Sequence, residues 1–211
     1  MNGHMKPADI EKRSFAIITE ELGGRTFPDG VAEVVKRVIH TSADFDYADN
    51  LCFSPDAVEQ AKAALEAGAT IVTDTNMALA GISKGTLAKL GGKAVCLMAD
   101  EAVAREAKAR GVTRATVSME HAAKLDGPLI FAIGNAPTAL IRLHELIGEG
   151  AVSPALVIGV PVGFVNVVES KELFIGGDTP YIIARGRKGG SNVAAAIVNA
   201  LLYQIVKREG F

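Results

Sequence analysis

Five short apolar runs, residues 69–73, 93–98, 129–133, 155–160 and 181–184, alternate with stretches of helical periodicity. This alternation constrains the fold more than any other feature. Strands joined through helices need crossover connections, and these generate a parallel sheet with helices on both faces. The sequence therefore predicts an α/β fold, a three-layer α/β/α arrangement around a mostly parallel five-stranded sheet. The apolar bulk is carried by Ala, Val, Ile and Gly, with few aromatics, as suits strands covered on both sides. No Pro/Ser-rich linker or charge block divides the 211 residues, so one domain over residues 1–211 is expected. Residues 1–8 are expected to be tag-derived or disordered, with Met5 as the natural start.

Local signals place the helices. Asp9 reads as the cap of a helix over residues 9–22 that Gly23-Gly24 stops, with Ile10, Ser14, Ile17 and Ile18 inward. A second helix is expected from Pro28, burying Val31, Val34, Val35 and Val38. Asp100 and Thr113 read as caps of two later helices, and Pro137 opens another. The last helix is expected over residues 192–207.

Composition excludes several classes of function. A net charge of −2 gives no positive field for nucleic acid or an acidic membrane. No apolar run is long enough to span a bilayer, and the polar start, residues 1–7, lacks the hydrophobic stretch of a signal peptide. Cys52 and Cys96 are too few for a disulfide framework, which points to the cytoplasm. The four histidines lack the spacing of a metal centre, so no metal site is expected.

In open parallel sheets, ligands bind beyond the carboxyl ends of the strands. Those ends carry Asp74-Thr75-Asn76, Ala99-Asp100, Gly134-Asn135-Ala136-Pro137-Thr138, Pro161-Val162-Gly163-Phe164 and Arg185-Gly186-Arg187-Lys188-Gly189-Gly190-Ser191. The last stretch enters a helix with three basic residues and several glycines, a combination that favours anion binding over a plain solvated turn. For Gly134 to Thr138, spacing does not choose between anion binding and ordinary capping by Asn135. His40 lies near the end of the second helix, opposite the valine stripe. The partial negative charge of a helix end favours imidazolium, which can act as a general acid. A solvent-facing histidine is the plainer interpretation of the pattern alone. The same holds for Arg114 as a surface charge rather than a carboxylate clamp. The Ser14 hydroxyl can serve a ligand or bond back to its own helix.

Taken in order, several stretches resemble one family: Arg13-Ser14-Phe15-Ala16-Ile17-Ile18, Ile39-His40, Phe53-Ser54-Pro55, residues 132–140, residues 161–165, Glu169-Ser170-Lys171 and residues 185–191. The set is similar to the precorrin-8X methylmutases of cobalamin biosynthesis and covers nearly the whole chain. The resemblance implies an isomerase that moves a methyl group from C11 to C12 of precorrin-8 or its cobalt form, giving hydrogenobyrinate or cobyrinate. It implies His40 as the catalytic residue, protonating the macrocycle, and no cofactor, any cobalt being part of the substrate. It implies substrate contacts from Ser14 and Arg114. Carboxylate arms of the tetrapyrrole would be bound by Gly134, Asn135, Thr138, Arg185, Gly189, Gly190 and Ser191. Val162, Gly163 and Phe164 would pack on the ring, and Thr75 and Asn76 join the substrate-binding set. It also implies a homodimer with substrate near the subunit interface. Two other classes stand beside it: a corrinoid-binding carrier without catalysis, and a nucleotide-binding α/β enzyme, against which the missing glycine fingerprint weighs.

Overall fold

A computed structural model describes residues 7–207. The chain runs α1 (Pro7–Leu22), α2 (Val31–Ser42), α3 (Tyr47–Asn50), β1 (Leu51–Phe53), α4 (Ala57–Glu66), β2 (Thr70–Thr73), α5 (Asn76–Gly81), α6 (Lys84–Lys89) and β3 (Lys93–Val95). It continues α7 (Glu101–Arg110), α8 (Arg114–Ala122), β4 (Leu129–Ile133), α9 (Pro137–Gly148), β5 (Leu156–Gly159), α10 (Val167–Glu172), β6 (Tyr181–Ala184) and α11 (Ser191–Ile205). The expectation for residues 1–8 lies, for residues 1–6, outside the described residues. The helix begins at Pro7, so Asp9 sits in its first turn rather than capping it.

The five expected strands are present, all parallel, in one sheet of order β1-β6-β5-β4-β2-β3. The sheet has six strands rather than five. The extra one, β1, pairs antiparallel with β6, Cys52 opposite Ile183. Three residues between Asn50 and Ser54-Pro55 are too short to show a period of two, so the run is silent in the sequence. Ser54 ends the pair, donating its N–H to the Tyr181 carbonyl at 3.0 Å.

Alternation along each strand divides the core into two layers. In β4, Ile130 and Ala132 face the layer built on α2, α4, α5, α6 and α11. Leu129, Phe131 and Ile133 face the layer of α8 and α9. Val31, Val34, Val35 and Val38 are buried as the valine stripe requires. The helix they lie on starts three residues after Pro28, because Gly30 sits at φ 75°, outside helical space. The inner face of α1 differs from expectation. Ile18 and Leu22 are buried, whereas Ile10 and Ile17 are 52% and 39% exposed. The helix packs mainly on α2 through Phe15 and Glu11, which meet Arg37. Its apolar outer residues are therefore left uncovered. Asp100 and Thr113 cap α7 and α8, accepting the N–H groups of Ala102 and Thr116. No helix among the described residues is long and apolar enough to cross a membrane.

Candidate active site at the carboxyl edge

Two side-chain ties fix the direction of α2 against α11. At one end Gln204 donates to the Gly30 carbonyl at 3.0 Å. At the other, Lys188 in the loop before α11 donates to Asp44 and Asp46, just beyond α2, at 2.6 Å each. The helices are thus antiparallel, and the end of α2 that carries His40 lies at the carboxyl edge of the sheet. His40 is exposed, while its neighbour Ile39 is 1% exposed. Its ring stands 5.3 Å from that of Phe15, tilted by 34°. Thr41 lines a groove of about 290 Å³ with Arg37, Asn192, Asn199 and Tyr203. His40 therefore stands where α1, α2 and the start of α11 meet. Ser14 lies beside Phe15 in the chain, and its hydroxyl donates to the Ile10 carbonyl at 2.9 Å, the back-bonding alternative.

Backbone amides at the start of α9 are already occupied. Asp74, 1% exposed at the end of β2, accepts the N–H groups of Gly134, Asn135 and Ala136 at 2.9, 2.8 and 2.6 Å. Burial pushes its carboxyl up and the three amides offset this only in part. The amides expected to receive a ligand carboxylate thus serve an internal one, because β2 and β4 are neighbours and bring Asp74 beneath them. The Asn135 side chain remains exposed, as does Asn76. Thr138 accepts a hydrogen bond from Thr113 at 3.1 Å. Thr75 caps α5 through the Ala78 N–H and shares a 2.7 Å hydroxyl hydrogen bond with Ser191. A Cβ on Gly134 would lie 2.7 Å from the Ser191 Cα, so glycine is what lets α11 start this close to β4.

The basic residues divide into engaged and free. Arg185 is paired with Glu172 and Lys188 with Asp44 and Asp46. Arg114 and Arg187 are exposed and have no acidic partner among the described residues. The Arg187 guanidinium lies 5.5 Å from the Phe164 ring centroid. Phe164 and Val165 are 80% and 78% exposed, and Val162 stands out beside them. The Gly163 N–H donates to the Arg187 carbonyl at 3.2 Å, and the Gly190 N–H to the Val160 carbonyl at 2.8 Å. These bonds tie the loops after β5 and β6 together. A Cβ on Gly189 would fall 2.0 Å from the Val160 oxygen.

Sequence reasoning named Asp74 at a strand end and Lys171 in a family-like stretch but gave neither a role. Asp74 gives no local signal. Lys171 does, since Val167, Ser170, Lys171 and Phe174 recur at helical spacing and all are buried. The other two histidines among the described residues are local. His121 bonds Glu106 at 2.8 Å and His144 meets the edge of Phe174.

His40 and two guanidinium groups without acidic partners among the described residues thus gather over the carboxyl edge of an α/β sheet, where such sheets place their ligands. The chain belongs to the precorrin-8X methylmutase family, whose model matches residues 9–204. The cobalt-precorrin-8 methylmutase of Priestia megaterium is 46% identical over 93% of this chain and 88% of its own length. That of Salmonella typhimurium is 47% identical over 95% of this chain and 96% of its own. The crystal structure of precorrin-8x methyl mutase from Thermus thermophilus superposes with a TM-score of 0.84 at 41% identity, covering 92% of this chain and 94% of that one.

Proposed function

We propose that the chain moves a methyl group from C11 to C12 of cobalt-precorrin-8 to give cobyrinate, with His40 as the proton donor. The observation that carries this is His40 itself: an exposed imidazole at the carboxyl edge, 5.3 Å from the Phe15 ring and next in the chain to Thr41, which lines an open groove. The methyl group stays within one molecule, so the step consumes no redox equivalents and no cofactor is invoked. Protonation of the macrocycle draws electron density from the migrating bond. Because product and substrate have the same composition, the proton returns once the methyl group has settled, leaving imidazolium for the next turnover.

The substrate's carboxylate arms fall to Arg114 and Arg187, since Arg185 and Lys188 are neutralised internally. A planar guanidinium suits a carboxylate. Phe164, with Val162, offers an apolar face to the ring. Ser14, Thr75, Asn76, Asn135, Thr138, Gly163, Gly189, Gly190 and Ser191 shape the remainder of the edge. A groove of about 290 Å³ falls just below the range of small-molecule pockets, roughly 300–1,000 Å³, too small for a tetrapyrrole. A second copy closing the site, over the uncovered Ile10 and Ile17, supplies the missing wall and makes a homodimer. The unpaired Cys52 and Cys96 fit the reducing cytoplasm.

The purified protein, incubated with metal-free and with cobalt-loaded precursor, tests this through the visible spectrum. Corrin absorption appearing from the cobalt form supports the proposal, and its absence from both forms refutes it.

A further inference from the structure

We propose that Lys171 is a positioning residue: its buried amine holds the loop between β6 and α11 in the shape that presents Arg187 to the substrate. The inference rests on the proposed role of Arg187 in binding a carboxylate arm. Lys171 is 0% exposed. Its Nζ donates to the Gly186 carbonyl at 2.8 Å and the Lys188 carbonyl at 2.9 Å. These are the residues immediately before and after Arg187. The Arg187 carbonyl between them accepts the Gly163 N–H. Three successive carbonyls are thus held from within, while the Arg187 side chain is exposed and reaches over Phe164.

The loop needs such a tether. Gly186, Gly189 and Gly190 have φ values of 77°, 159° and 137°, and glycine supplies little stiffness of its own. One buried point must serve two carbonyls, and an ammonium group has the donors for it. No carboxylate among the described residues bonds the amine. On α10 itself, Glu169 is exposed and Glu172 is taken by Arg185. On the loop, Lys188 is taken by Asp44 and Asp46. On α9, Arg142 is taken by Glu120, Glu145 and Glu149, and His144 stands on Phe174. Burial alone pushes the amine down to about 8 from an ordinary 10.5. A buried cation without an anion is a costly way to fill a core, and such departures gather at functional sites.

Above that pH the amine keeps N–H donors but loses charge assistance, which roughly halves the strength of such bonds. The sign is specific. Because the folded value is lowered, only the unfolded chain holds this proton between about 8 and 10.5, so the contribution of Lys171 to stability rises with pH across that window. Only the loop loosens.

The test compares the wild type with Lys171→Met, which keeps the apolar stem. Amide exchange of residues 186–191, corrected for intrinsic rates, is expected to quicken about tenfold in the variant at neutral pH, as loss of a buried hydrogen bond implies. It is also expected to quicken several-fold in the wild type between about pH 7 and 9.5. In parallel, KM for cobalt-precorrin-8 is expected to rise about tenfold in the variant, with kcat changed less than about threefold. Unchanged exchange in the variant overturns the positioning role. Should that variant not fold, Lys171→Gln, which keeps a donor on a shorter stem, takes its place in the same two measurements, and unchanged exchange there overturns the role equally. Faster exchange with an unmoved KM upholds the tether and instead refutes substrate binding by Arg187.

Discussion

Glu172 closes on Arg185 with two hydrogen bonds, Nε to Oε1 at 3.1 Å and Nη2 to Oε2 at 2.9 Å. This pairing removes Arg185 from the charges that face a ligand and leaves Arg187, two residues on, as the free guanidinium of the same loop. Arg187→Ala is expected to raise KM for the tetrapyrrole about tenfold, the scale of one charge-assisted hydrogen bond. Arg185→Ala is expected to raise it less than about threefold. Steady-state kinetics on both variants decide the order, and a larger effect at Arg185 refutes the assignment.

His40→Ala removes the proposed proton donor without touching the core, since His40 is exposed and Ile39 carries the burial. A positioned general acid contributes about 10²- to 10⁴-fold. The variant should lose that much in kcat while keeping its melting temperature within about 2 °C. Conversion of precorrin-8 at the wild-type rate would show that the imidazole is not the proton source.

The link between the two halves of the site is itself titratable. Lys188 bonds Asp44, and this hydrogen bond holds the Asp44 carboxyl below its ordinary value of 3.8. Asp44 therefore contributes stability that is present above about 3.8 and is lost as pH falls through its folded value. Asp44→Asn should flatten that part of the acid limb in a series of melting curves. At neutral pH it should raise KM and lower kcat together, because the tie sets the end of α2 against the loop of Arg187. A variant with the wild-type acid limb would assign that loss of stability to other carboxylates, such as Glu120, which Arg110 also holds down.

How much of this was legible depended on how local the signal was. The run 129–133 announces a strand, and Asp100 and Thr113 announce their helices, because each effect acts within a few residues. β1 escapes notice because its three residues are ordered by β6, about 130 positions later. Asp74 is silent for the same reason: its role exists only once β2 lies beside β4. Arg185 and Arg187 are indistinguishable in the sequence, and only the placement of Glu172 separates them. Helical period did imply a buried inner face for α1, but its phase was set by Phe15 and Glu11 meeting Arg37, which left Ile10 outside.

Gly134 and Gly85 provide a matched pair of opposite sign. A Cβ on Gly134 would lie 2.7 Å from the Ser191 Cα and 2.8 Å from the Gly190 oxygen, both backbone atoms, whereas a Cβ on Gly85 in α6 would meet nothing within 4 Å. Gly134→Ala must push α11 away from β4. It should cost about 1–3 kcal/mol by overpacking, or roughly 2–12 °C in Tm for a chain of this size. The shift would also strain the Thr75–Ser191 hydrogen bond and raise KM. Gly85→Ala removes backbone freedom from the unfolded chain at no steric cost and should stabilise by about 0.4–1 kcal/mol. Thermal melts of the two single variants read both signs. Destabilisation by Gly85→Ala, or a neutral Gly134→Ala, would mean that the approach of α11 to the sheet edge is looser than the packing around Gly134 requires.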